Sequence, residues 1–142
     1  MLNGDVIKER MEEMSENLRI LVELQEIGKE KFKADPKVFK LTEYCLQISI
    51  QALLDICHYI IANNNWPRPK DNQEAISIIA RYKVIPEDFS KRIKPMAGLR
   101  NILIHEYLKV DLERIYRHLQ QLDDFHQFQK YILAYLKKIA KR

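Results

Sequence analysis

Apolar residues recur every three or four positions along most of the chain, the spacing of one face of an α-helix. The first series is Ile7, Met11, Met14, Leu18 and Leu21, with Glu, Lys and Arg on the other faces. It predicts a helix from Asp5, taken as N-cap, to about Lys29, closing near Gly28. Asp35-Pro36, a cap followed by a first-turn proline, opens a second helix. Its stripe is Leu41, Cys45, Ile48, Ala52, Ile56, Tyr59 and Ile60, and it stops in the turn formers Asn63-Asn64-Asn65-Trp66-Pro67-Arg68-Pro69. Asp71 and Glu74 have the spacing of a capping box and predict a short third helix over about 72–81. Val84-Ile85-Pro86-Glu87-Asp88 opens a fourth that reaches about His105, with a kink or restart at Pro95 and Gly98. A last helix begins near Asp111 and continues to the C-terminus on Leu112, Ile115, Leu119, Leu122, Phe125, Phe128, Ile132, Leu136 and Ile139. No alternating pattern predicts a strand. The expectation is an all-α, up-and-down bundle of about five helices, one domain over residues 1–142.

Composition sharpens this picture. The chain has 142 residues, 46% of them hydrophobic, with three glycines and five prolines. That length can bury a core without disulfide or metal staples. No run of apolar residues reaches the roughly 20 that span a bilayer, and the first residues lack the pattern of a signal peptide. A cytoplasmic protein with no membrane role is expected. Cys45 and Cys57 fall on one helix, about 18 Å apart along its axis. That exceeds the roughly 7 Å limit for a disulfide, so both are expected as buried small hydrophobes.

The net charge of +4 is unevenly placed. Residues 1–35 hold nine acids against six bases, a net of −3; residues 36–142 hold eleven acids against eighteen bases, a net of +7. A basic surface raises the encounter rate with phosphate polymers, but an excess this small is also an ordinary solubility feature.

One segment carries candidate chemistry: Gly98-Leu99-Arg100-Asn101-Ile102-Leu103-Ile104-His105-Glu106-Tyr107. The Arg100 guanidinium is a planar fork that can hold a phosphate through two hydrogen bonds. His105 is the side chain best suited to proton transfer near neutral pH. A phosphate clamp and a proton shuttle are a minimal kit for cutting RNA without a metal. Read from the residues alone, though, an arginine and a histidine on an amphipathic helix are more often an ion-pair member and a partly buried polar group. On an ideal helix Asn101 and His105 share a face, whereas Arg100 and His105 lie about 140° apart. Either the helix re-aims His105, or the site combines residues of two chains about a twofold axis; the two-chain site is the expectation.

Arg100, four residues, His105, one residue, Tyr107 resembles the R-x4-H-x-Y signature of HepT-like toxins in the HEPN superfamily. Asn101 suits the polar position that follows the arginine there. Met96-Ala97-Gly98-Leu99 and Leu108-Lys109-Val110-Asp111 are similar to the flanks of that motif, and the helix order agrees along the chain. The resemblance implies a homodimeric HEPN bundle whose two motifs line a shared cleft. It implies a ribonuclease toxin with Arg100 and His105 catalytic and Asn101 supporting, needing no metal or cofactor. It also implies a partner antitoxin, a nucleotidyltransferase of the MNT family, and AMP transfer to Tyr107. The alternative is a HEPN dimer that binds the nucleotidyltransferase and nucleotide or RNA without cutting.

Elsewhere the expectations are structural. His58 is read as hydrogen-bonded on its helix, and Cys45, Cys57 and His58 do not have zinc-ligand spacing. Trp66 pins the turn at 63–69. His118, His126, Arg114, Arg117, Arg81, Lys83, Lys91, Arg92 and Lys94 form solvated faces.

Overall fold

The structure, a computed structural model, describes residues 2–105 and 111–141, with His105 described by its backbone alone. Among the described residues there are eight helices and no strand: α1 (Gly4–Gln25), α2 (Lys29–Ala34), α3 (Pro36–Asn63), α4 (Asn72–Arg81), α5 (Glu87–Ile93), α6 (Pro95–His105), α7 (Leu112–Leu119) and α8 (Asp123–Ala140). The all-helical expectation holds, while the number of helices exceeds five for three local reasons.

The first helix is shorter than predicted. Asn3, not Asp5, is its N-cap, and its side chain accepts from the Asp5 amide at 2.9 Å. The helix ends at Gln25, and Gly28 in extended backbone caps the separate α2. Phe32 drives this break. It is completely buried and packs against Phe39 of α3 and Tyr116 of α7, ring centroids 6.5 and 5.3 Å away, a position a straight α1 would not give it.

The fourth predicted helix restarts at Pro95, as its sequence suggests. Proline has no N–H to give the turn before it, so α5 and α6 meet at Lys94. Gly98 lies inside α6 and is not the breaking point.

The last predicted helix is two, α7 and α8, parted at Gln120–Leu122. The apolar series explains it. Leu119 and Phe128 are nine residues apart, hence about 180° apart on one straight helix, yet both are completely buried. Turning the chain between them lets both face the core.

The helix ends follow elementary capping. Asp35 accepts from the Lys37 amide at 3.0 Å, with Pro36 at the first turn. Asp71 accepts from the Glu74 amide at 2.8 Å; Glu74 returns a bond to the Lys70 amide at 3.0 Å, one residue before the reciprocal partner of a standard capping box. Asn65 (φ 56°) and Lys83 (φ 67°) close α3 and α4 in left-handed backbone, each with the next amide reaching back five residues to Ile61 and Ile79. Trp66 and Tyr82 follow or precede these two turns and stack at 4.2 Å and 7°, so Trp66 does pin its turn.

α3 is the centre of the bundle and packs on α1, α2, α4, α6, α7 and α8. Asn3 donates to the Tyr59 hydroxyl and Arg10 approaches Asp55, so α1 and α3 run antiparallel. By length and composition α3 could cross a membrane, contrary to the expectation that no run is apolar enough, but it serves here as the core helix. Cys45 and Cys57 are free and buried on it, and burial pushes both thiols above their ordinary range. Its buried face includes Leu46, Ile50, Leu53, Leu54 and Ile61, so the core stripe is wider than predicted and Leu41 lies outside it.

α2 is fastened to α7 by charge as well. Glu113 lies 2.8 Å from Lys29 Nζ and also pairs with Lys33. These two ammonium groups, Lys29 first, hold the Glu113 carboxyl down at about 2. A depressed carboxyl adds stability above its unfolded value of 4.5, and that contribution is lost as pH falls toward 2. Carbon-detected NMR titration should place the Glu113 midpoint well below 4, and Lys29→Ala with Lys33→Ala should return it to the ordinary range.

Candidate functional site

Leu99 and Leu103, one turn apart on α6, are buried in the core. Their neighbours Arg100 and Asn101 are thereby turned outward, Arg100 half-buried and Asn101 exposed. The face opposite them belongs to α3. Its outward residues include Lys37, Lys40, Leu41, Tyr44, Ile48, Gln51, Asp55 and His58, with Leu41, Tyr44 and Ile48 the apolar members.

Gln51 is the point where the two helices meet. Its Oε1 accepts from Arg100 Nε at 2.9 Å, and its Nε2 donates to Asp55 Oδ1 at 2.7 Å. Asp55 is one turn further along α3, a spacing that lets side chains touch, and lies 3.8 Å from Arg10 Nε. The carboxylate fixes which way the amide faces, and the amide fixes the guanidinium. Asn101 Oδ1 accepts from Arg100 Nη1 at 3.3 Å.

Two of the five guanidinium N–H donors are thus used by neutral amides. Among the described residues no carboxylate pairs with Arg100. The arrangement orients the fork without neutralising it, which suits an arginine kept for an anion. An ion pair would have done the opposite.

The sequence motif is therefore divided. Arg100 and Asn101 are brought together as expected. The side chain of His105 and all of Tyr107 lie outside the described residues, as does Glu106. Gln51 and Asp55 are the site residues that sequence reading missed. Their signal was present: both fall on the outward stripe of α3, but a glutamine and an aspartate on an exposed helical face look like any solvated pair.

Other candidates separate clearly. His58 Nε2 is 2.8 Å from Asn72 Oδ1, a bond between α3 and α4 and not one within its own helix. His118 is half-buried; burial first, then Arg114 and Arg117, push its pKa below the ordinary histidine value. Arg92 is paired with Asp124 and lies 5.8 Å from the centre of the Phe89 ring, so it is not a free surface cation. Arg81, Lys83 and Lys91 are exposed, as expected. Among the described residues no three His, Cys, Asp or Glu side chains gather as a metal site.

Beside Asn101 the surface opens into a cleft of about 530 Å³ between α6 and the start of α4. His58, Lys70, Asn72 and Gln73 face it, and its floor at Ala97 and Gly98 is small.

Comparison with known proteins bears on the family and the fold. A family model described as ribonuclease HepT-like matches residues 11–132. The tRNA nuclease HepT of Aphanizomenon flos-aquae is 28% identical over 111 residues, 78% of this chain and 76% of that protein. The mRNA nuclease HepT of Shewanella oneidensis is 31% identical over 84 residues, 58% of this chain and 63% of that protein. Among solved structures, the tri-AMPylated Shewanella oneidensis HEPN toxin in complex with an MNT antitoxin superposes with a TM-score of 0.83 at 25% identity, over 92% of this chain and 98% of the other. Most of the sequence lies inside the family model and the helices follow the same fold, so the chain belongs to the HepT-like ribonuclease family.

Proposed function

We propose that this protein is a metal-independent endoribonuclease toxin of the cytoplasm, working as a homodimer and held in check by a nucleotidyltransferase antitoxin. The observation that carries the reading is Arg100, aimed by the amides of Gln51 and Asn101, two neutral acceptors that do not cancel its charge. The resemblance of the motif assigns the second half of the kit to His105, five residues away.

The chemistry follows from those two groups. His105 takes the proton of a ribose 2′-hydroxyl, and that oxygen attacks the adjacent phosphorus. The bond from phosphorus to the 5′-oxygen breaks, and the leaving oxygen takes a proton from the second subunit's imidazole or from water. The products are a 2′,3′-cyclic phosphate and a 5′-hydroxyl. Arg100 stabilises the charge that builds on the phosphoryl oxygens. DNA, lacking the 2′-hydroxyl, is not a substrate.

Two exposed apolar side chains of α3, set among Lys37, Lys40 and Glu43, support the dimer. Tyr44 is 60% exposed and Leu41 41%, and Tyr44 lies about 10 Å along the helix from Gln51. Pairing two copies across this face would cover both residues and bring two Arg100 side chains to one cleft.

Pure protein should cut total RNA in the presence of a chelator. Arg100→Ala should lower the rate by about 10²–10³-fold, and His105→Ala should abolish cutting, both with the dimer intact by light scattering. Undiminished cutting by either variant removes the proposed roles. Loss of wild-type cutting under chelator removes metal independence. A dimer that binds the transferase yet never cuts favours the non-catalytic reading.

Gln51→Leu removes the oxygen that aims the guanidinium and retains the charge. It should slow cutting about tenfold to a hundredfold, on the scale of a misplaced reacting group. The Arg100 Nε proton should exchange faster with solvent by NMR.

The antitoxin is expected to transfer AMP to Tyr107, placing a bulky anion where it competes for Arg100. Co-expression with an MNT-family nucleotidyltransferase should add AMP mass at Tyr107, and Tyr107→Phe should escape it. Adducts confined to other residues would defeat the assignment.

A further inference from the structure

Apart from Asn101, the described residues that line the cleft beside it take no part in the phosphate clamp. The cleft is large enough for a small molecule, within the roughly 300–1,000 Å³ of ordinary ligand sites, and its lining is mainly polar. Three primary amides, Asn72, Gln73 and Asn101, face it together with the imidazole of His58. His58 Nε2 and Asn72 Oδ1 are 2.8 Å apart, a hydrogen bond that holds the ring against the amide.

Charge decides what such a lining suits. Lys70 and Asp71 are the charged residues of the cleft and are opposite in sign. Asp71 is already engaged as the N-cap of α4. A near-neutral cleft rich in groups that both donate and accept is poorly made for a phosphate. It is well made for the edge of an unpaired nucleobase, which presents donors and acceptors in a plane. Asn101 joins it to the anion site, since the side chain that faces the cleft also accepts from Arg100 Nη1. A base lodged here would belong to a nucleotide directly beside the phosphate held by Arg100.

We propose that this cleft is a base-reading subsite, in which His58, Asn72, Gln73 and Asn101 select the nucleotide flanking the scissile phosphate. The proposal rests on the ribonuclease reading and adds to it a source of sequence preference. Gly98 keeps the floor open: a Cβ built there would meet nothing within 4 Å. A longer side chain at that position therefore enters the cleft and leaves the core alone.

The test uses the full-length protein, a fluorescent pool of 2′-O-methyl tetranucleotides that cannot be cut, and mapping of the 5′ ends made from total RNA. Gly98→Leu and His58→Ala should each weaken binding of the pool at least fivefold. They should also flatten the base preference at the nucleotide beside the cut, with melting temperature and dimer mass unchanged. His58→Gln, which keeps a hydrogen-bonding side chain, should recover part of the affinity. If His58→Ala unfolds because the α3–α4 bond is lost, Gly98→Leu alone decides. Wild-type binding and an unchanged end profile in Gly98→Leu overturn the subsite while leaving the ribonuclease standing. Weaker binding with an unchanged profile overturns base reading. A wild-type protein that neither binds the pool nor cuts RNA rejects the parent reading as well.

Discussion

The burial of α3 governs this molecule. Six helices pack on it, and over 28 residues it leaves one outward stripe. A helix so enclosed has little freedom to rotate or slide, because each shift would expose Ile50, Leu53 or Ile60 to water. Whatever that stripe carries is therefore held with the precision of a core. It carries Gln51, and through Gln51 the direction of Arg100. A surface arginine is ordinarily a flexible, solvated group; this one inherits rigidity from a helix that is not its own.

The same logic explains the order of events from sequence to site. Leu99 and Leu103 anchor α6 to the core and turn Arg100 outward. Asp55 holds the Gln51 amide so that its oxygen, and not its nitrogen, meets the guanidinium. A carboxylate at position 51 would hold Arg100 more strongly, but it would also cancel the charge that a phosphate needs. Position and availability are reconciled by a neutral acceptor placed beside a charged one.

Much of this was legible in the amino-acid sequence, and the failures have physical causes. The period of Ile7, Met11, Met14, Leu18 and Leu21 found α1, since one face of that helix meets the core and the rest meets solvent. The caps Asp35 and Asp71 found the starts of α3 and α4, because capping is local chemistry. The splitting of the last helix was missed, although its sign stood in three successive spacings of three from Leu119 to Phe128, which no straight helix can turn toward one core. The end of the first was not visible, since Phe32 is placed by Phe39 and Tyr116, contacts that no local pattern encodes. Arg100 and Asn101 were found through a motif. Gln51 was not, because its role exists only once α3 and α6 are side by side.

The guanidinium, which no carboxylate among the described residues pairs with, bears on assembly too. In the paired arrangement proposed above, two like charges approach one axis, and repulsion between them opposes association. A polyanion threaded between the subunits would relieve that strain. Occupancy and oligomerisation then become linked equilibria: the nucleic acid strengthens the very contact that creates its binding groove, and raising ionic strength screens the repulsion while loosening the strand.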